Sequence, residues 1–155
     1  IEPDMIAAGK GIGNGYPVSV TALNNQIIKE LDKAPFHYSQ SHQNDPLGAA
    51  IVNEVIRIIK ADDLIPKAET KGKQFFEMLQ SLKDGIKITD VRGRGLMFAM
   101  DICDETTASN LYKKLLDKGY IVCIRNALFR IDPPLTIKES EFDHFINDFK
   151  KVLNS

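Results

Sequence analysis

Two residues stand in contexts where their chemistry would matter. Lys10 lies among glycines, in Gly9-Lys10-Gly11-Ile12-Gly13-Asn14-Gly15-Tyr16-Pro17. A lysine of ordinary pKa is neutral in about one molecule in a few thousand at pH 7. An amine nucleophile therefore needs a site that lowers its pKa or captures it as an imine. Glycines on either side let the backbone pass close to a bulky partner, although a solvated lysine on a flexible surface loop has the same composition. Phosphate-cradling readings fail on spacing: no glycine stands five residues before Gly9, no Ser or Thr follows Lys10, and no glycine triplet has dinucleotide-binding spacing. Arg130 is the second candidate, in Phe129-Arg130-Ile131-Asp132-Pro133-Pro134. A guanidinium at the end of a short apolar strand is a two-pronged anchor for a carboxylate; an arginine satisfied by a local aspartate fits the same spacing.

The elements that must carry these residues follow from periodicity. A short apolar run at 5–8, the glycine loop, and a β-branched run at 18–23 predict strand, loop, strand. Residues 25–33 suit a short helix, and 34–44 a loop. Asp45-Pro46 is a strong helix start, because Asp accepts from orphan N–H groups and Pro fits the first helical turn. Leu47, Ala50, Ile51, Val55, Ile58 and Ile59 then share one face. A second helix is expected over 63–82, with Leu64, Ala68, Phe75, Leu79 and Leu82 inward and Gly85 ending it. Beyond it come strands at 86–92 and 96–102 around a Gly93/Gly95 turn and a helix over 106–118 closed by Gly119. Two short strands then flank Asn126-Ala127. A final helix carries Phe142, Phe145, Ile146, Phe149, Val152 and Leu153 on one stripe, and Thr136 with Glu139 has capping-box spacing. The boundary falls near Asp62, between a strand-loop-helix unit and a compact α+β unit.

Composition narrows the classes. The chain has 155 residues, 43% of them hydrophobic, with 20 Lys+Arg against 21 Asp+Glu. Balanced charge offers no basic field for nucleic acid, and no apolar run is long enough for a membrane helix, so neither is an expected partner. Arg92-Gly93-Arg94-Gly95 has the look of an RNA-binding arginine-glycine segment, but a single copy between alternating apolar strands reads as a hairpin turn. Cys103 and Cys123 show no metal spacing and are expected as reduced, buried thiols of a cytoplasmic protein. His37, His42 and His144 have no partners in ligand spacing. The start at Ile1-Glu2-Pro3-Asp4, without an initiator Met, suggests a piece of something longer.

Taken together with their surroundings, four ordered segments resemble one family. The lysine segment at 3–17 is similar to the cofactor-lysine segment of class III aminotransferases, which use pyridoxal 5'-phosphate. Ser41-His42-Gln43-Asn44-Asp45-Pro46-Leu47 resembles the family's phosphate-loop and helix-start segment. Asp90-Val91-Arg92-Gly93-Arg94-Gly95-Leu96-Met97 resembles its small-domain hairpin, and Phe129-Arg130-Ile131 through Pro133-Pro134-Leu135-Thr136 its substrate-carboxylate segment. The wording of the second and third segments is nearest to the decarboxylating branch, the 2,2-dialkylglycine decarboxylases.

The resemblance implies an α/β, fold-type I transferase represented by the end of its large cofactor domain (1–61) and its small α+β C-terminal domain (62–155). It implies that Lys10 carries the cofactor as an aldimine and then shuttles the substrate proton. Arg130 would hold the substrate carboxylate. Ser41, where the family usually has Thr, would bind the cofactor phosphate across a homodimer interface. Ser41, Gln43 and Asp45 would offer oxygens to an alkali-metal ion, a role compatible with Asp45 as helix cap. The implied reaction moves an amino group between an amino acid or amine and a 2-oxo acid, with decarboxylation, racemisation or amino-group migration open on the same scaffold. The acid that pairs with the pyridine nitrogen, the stacking aromatic and the main phosphate loop have no counterpart here, so a silent folding or dimerisation fragment is the alternative for the chain alone.

Overall fold

The computed structural model describes residues 2–34 and 36–155. They divide into two compact units, Ile1–Asp62 and Asp63–Ser155.

In the first unit, strands β1 (Met5–Ala8) and β2 (Val20–Leu23) pair antiparallel, Met5 opposite Leu23 and Ala8 opposite Val20. The connection is the glycine loop, of which Lys10–Gly13 winds into a single 3₁₀ turn. The second strand starts two residues later than residue 18, since Pro17 has no N–H for a ladder and Val18 turns inward to pack between glycines. Helix α1 (Asn25–Lys33) is capped by Asn24, whose side chain accepts from Ile27 N at 2.9 Å while its amide donates to Asp4 Oδ1 at 2.7 Å. Helix α2 (Pro46–Ala61) begins as expected from Asp45-Pro46. Its inward face is narrower than the apolar stripe predicts. Gly48 and Val52 are buried and Ile51, Val55 and Ile59 half-buried, whereas Leu47, Ala50 and Ile58 are exposed. The cause is the small area of contact: α2 meets the 3₁₀ turn through Gly13, Gly48 and the Val18 side chain between them, and little else in this unit covers its flank.

The second unit is a four-stranded antiparallel sheet in the order β3-β4-β6-β5, built from β3 (Ile88–Arg94), β4 (Met97–Ile102), β5 (Cys123–Arg125) and β6 (Leu128–Ile131). Helices α3 (Leu64–Gln80), α4 (Glu105–Asp117) and α5 (Glu139–Leu153) supply the rest of the core. Phe98, Met100, Ile102, Phe129 and Ile131 point into it by strand alternation. A bulge between Ile88 and Asp90 shifts the phase, so that Ile88 and Val91, an odd number apart, both face inward. The aromatic stripe of α5 is core: the Phe142 ring stacks on Phe75 at 3.8 Å between centroids, and Phe145 and Phe149 continue the cluster.

Three local expectations change. Gly93 lies inside β3, opposite Phe98, and the hairpin turns at Gly95-Leu96 alone. A Cβ at Gly93 would stand 2.6 Å from Phe98 Cδ1, which explains glycine there without a turn. Helix α5 is opened not by Thr136 and Glu139 but at Lys138, whose N–H donates to Glu141 Oε2 at 2.8 Å; Pro134 O accepts from Ile137 N, so a turn at 134–137 delays the helix. Cys103 and Cys123 are free as expected but exposed rather than buried, because Cys123 sits on the open face of edge strand β5 and Cys103 follows the end of β4.

Candidate functional site

Lys10 is the first residue of the 3₁₀ turn, exposed, with φ of 52°. That left-handed backbone disfavours residues with a Cβ and is a strain that surrounding structure must hold. Among the described residues, no side-chain hydrogen bond or ion pair engages its ammonium. Gly11 beside it has nothing within 4 Å of where a Cβ would be, so the turn is open at that position.

The turn is anchored to α2 through Asp45, the expected cap, by Tyr16, to which the sequence alone assigns no role. Tyr16 donates its hydroxyl to Asp45 Oδ2 at 2.9 Å, and the same carboxylate caps α2, Oδ1 accepting from Leu47 N and Oδ2 from Gly48 N, both at 3.1 Å. The Tyr16 hydrogen bond chiefly, and the two backbone donors with it, hold the Asp45 carboxyl below its usual range. The same contact raises the Tyr16 phenol. Close approach completes the joint. A Cβ at Gly13 would lie 2.7 Å from Val18 Cγ1, and one at Gly48 would lie 3.1 Å from Val18 Cγ2. The signal for this in the sequence is the pair Gly-x-Gly-Tyr-Pro and Asp-Pro-Leu-Gly, whose meaning needs the two segments in contact.

Ser41 and Gln43 lie in an exposed turn at 41–44 that leads into the cap. Gln43 N donates to Gln40 O and Asp45 N to His42 O. The Asp45 carboxylate is the helix cap that the sequence predicts. With Oδ1 accepting a single bond, it keeps a lone pair that the cap does not use.

Arg130 lies on β6 in the second unit, on the sheet face away from the helices. Opposite it stand Ala99 on β4 and Cys123 on β5, both small, so the guanidinium is uncovered. Nη2 donates to Asp132 Oδ2 at 2.5 Å, so the local aspartate left open by the sequence is engaged. Arg92, also opposite Ala99, is differently placed: it donates to Asp101 through both Nη atoms, at 2.7 and 3.1 Å, and to Asp90 at 3.0 Å. Those carboxylates, Asp101 first, raise its pKa above the ordinary arginine value. The arginine-glycine segment is therefore a strand and turn whose first guanidinium is committed to intramolecular partners.

Comparison with known proteins decides the family. The family model for aminotransferase class III matches residues 1–153. The chain belongs to the class III aminotransferases. The ornithine aminotransferase of Oceanobacillus iheyensis is 33% identical over 159 residues, covering 100% of this chain and 38% of that protein. The acetylornithine aminotransferase of Methanocaldococcus jannaschii is 31% identical, covering 98% of this chain and 38% of its own length. A crystal structure of the acetylornithine aminotransferase from Elizabethkingia anophelis superposes with a TM-score of 0.89 at 28% identity, over 98% of this chain and 41% of that one. The fold is that of the fold-type I, pyridoxal-phosphate-dependent transferases. This class III chain spans about two fifths of the length of the relatives it matches. No helix among its described residues is long and apolar enough to cross a membrane.

Proposed function

We propose that this chain contributes the cofactor-bearing lysine and the substrate-carboxylate arginine of a pyridoxal-phosphate-dependent transaminase acting on an amino acid or amine and a 2-oxo acid. The observation that carries the reading is Lys10: an exposed primary amine, engaged by no other described side chain, on a strained backbone that a joint to α2 holds in place. A free amine fits an aldehyde cofactor, and Lys10 Nζ would hold it. The exposed Ser41 hydroxyl would meet its phosphate, across a homodimer interface. Bound there, pyridoxal phosphate supplies an electron sink for a bond broken at the substrate α-carbon.

The protein's own part is positioning and proton transfer. Arg130 offers four N–H donors beyond the one Asp132 takes, enough to grip a carboxylate by two parallel hydrogen bonds and fix which α-carbon bond faces the reacting centre. Lys10 Nζ would take the proton from that carbon and hand it on, on the same face, to the cofactor's C4′ carbon rather than back to its origin. Decarboxylation, racemisation and amino-group migration use the same two residues and differ in which bond is cleaved or where the proton returns. An alkali-metal ion at Ser41, Gln43 and Asp45 belongs to the decarboxylating version of this proposal, supported by the unused lone pair on Asp45 Oδ1. Residues 1–61 read as the end of a large cofactor domain and 62–155 as the small domain.

One observation favours a second reading, a catalytically silent module. The first unit exposes Met5, Ile6, Leu47 and Ile58 and buries little besides Gly13, Gly48 and Val52. Incubating the chain with pyridoxal phosphate, reducing with borohydride and mapping the label separates the two. Stoichiometric modification of Lys10, lost in Lys10→Ala, is the expected result. Label scattered over surface lysines would overturn the proposal in favour of the silent module.

A further inference from the structure

We propose that Asn14-Gly15 is a spontaneous deamidation site, and that its isoaspartyl product releases the lysine turn from α2. Among the chain's asparagines, only Asn14 precedes a glycine. The pair forms the two central residues of a tight turn closed by Tyr16 N donating to Gly13 O at 2.9 Å, with φ of 44° at Asn14 and 98° at Gly15. Positive φ at both positions is the type I′ geometry, for which Asn-Gly is the preferred sequence. The residues that favour this turn also leave it chemically labile. Both are exposed, and nothing lies within 4 Å of where a Gly15 Cβ would be. Among the described residues, neither the Asn14 side chain nor the Gly15 N–H has a hydrogen-bond partner.

In the reaction the Gly15 nitrogen attacks Asn14 Cγ. The N–Cγ bond forms, the Cγ–Nδ2 bond breaks, and ammonia leaves with the proton that the nitrogen gives up. The cyclic imide then takes up one water: opening at Cγ gives an ordinary aspartate, and opening at the Asn14 carbonyl carbon routes the backbone through Cγ as isoaspartate. Water is the only co-reactant, and attack by the deprotonated nitrogen makes the reaction faster as pH rises. Ring closure rotates ψ of Asn14 away from 48° and breaks the single Tyr16–Gly13 turn bond, within the unit that buries little. Other asparagines lack this combination. Asn44 also has a positive φ, 58°, but the Asp45 nitrogen donates to His42 O. Asn24 holds its side chain on Ile27 N and Asp4, and Asn126 is followed by Ala127, whose methyl group crowds the attacking nitrogen. An isoaspartyl backbone is one bond longer and cannot keep the type I′ turn. Tyr16 then loses its place, and with it the hydroxyl bond to Asp45 Oδ2 that joins the lysine turn to α2.

The test holds the ¹⁵N-labelled 155-residue chain in mildly alkaline buffer and maps its tryptic peptides by mass spectrometry over time, with isoaspartate scored by an isoaspartyl methyltransferase. Asn14 should be lost to its aspartyl and isoaspartyl forms while Asn24 and Asn25, in the same tryptic peptide, stay intact. The Gly48 amide signal should shift as isoaspartate accumulates, since that N–H donates to Asp45 and lies far along the chain from the reacting peptide. Asn14→Gly keeps a residue suited to positive φ but has no side-chain amide, so its Gly48 signal should hold through the same incubation. Asn14→Gln, whose imide ring would need six members, is a second resistant variant. Loss of Asn14 no faster than that of Asn24 and Asn25 would overturn the site. Deamidation at Asn14 with an unmoved Gly48 signal would overturn the release, as would an equal drift of that signal in the resistant variants. Neither result touches the role proposed for Lys10, because no cofactor enters the experiment.

Discussion

Asp84 and Asp104 show how single carboxylates hold the connections of the second unit. Asp84 Oδ1 accepts from the N–H groups of Ile86, Lys87 and Ile88 at 2.8–2.9 Å, closing the link from α3 to β3. Asp104 caps α4, accepting from Thr107 N and Thr107 Oγ1 at 2.8 Å. These backbone donors hold both carboxyls below their usual range, Asp104 at about 2. Because the folded values are depressed, the unfolded chain takes up these protons first. The stabilisation is therefore present above about pH 4 and is lost as pH falls through the folded values. Thermal melts followed by circular dichroism from pH 7 to 2.5 should show Asp84→Asn/Asp104→Asn less stable at neutral pH and flatter with acid than the native chain; parallel curves would refute the assignment. At this scale the sequence was legible where chemistry is local. Asp45-Pro46 announces a cap because cap and donors are neighbours in the chain. Tyr16 does not announce its role, since its hydroxyl partner lies 29 residues away.

Elements were legible wherever one face is well covered. Leu64, Ala68, Phe75, Leu79 and Leu82 are all buried as their spacing demands, the last four within the core that the sheet and α5 share. The α2 stripe failed for the converse reason, a helix with one narrow contact. Gly72 was invisible to periodicity, yet it sets how α3 meets the β3–β4 hairpin. A Cβ there would stand 2.6 Å from the carbonyl carbon and 2.8 Å from the Cα of Gly95, whose own φ is 56°. The obstacle is backbone at a tight turn, which cannot rotate aside. Alanine in mid-helix ordinarily gains up to about 1 kcal/mol over glycine, but overpacking of this kind costs about 1–3 kcal/mol. Gly72→Ala should therefore lower the urea midpoint with an unchanged denaturant slope. A raised midpoint would mean that the hairpin yields more easily than its geometry suggests.

The two units differ in what holds each together, and that difference governs the behaviour of the whole chain. In the second, six phenylalanine rings and the strands beneath them form one continuous core. The first consists of a two-stranded ribbon, a helix without a buried residue and one partly covered helix that meets the 3₁₀ turn around Val18. An isolated pair of strands is marginal in water, and local opening free energies follow the density of buried apolar contact. Amide hydrogen exchange on the chain should consequently divide at Asp62. Amides of β4, β6 and α5 should exchange only through global unfolding, while those of β1, β2 and α1 should exchange orders of magnitude faster through local opening. Uniform protection across both units would contradict this and would show the first unit to be self-sufficient. The division also bears on the proposed chemistry. Arg130 sits on the better-packed unit, so the carboxylate binding proposed for it can be tested on the chain as it stands. The Lys10 turn depends on the Tyr16–Asp45 joint within the weaker unit, so weakening that joint in Tyr16→Phe should lower Lys10 modification by pyridoxal phosphate in step with amide protection there, and unchanged modification would refute the dependence.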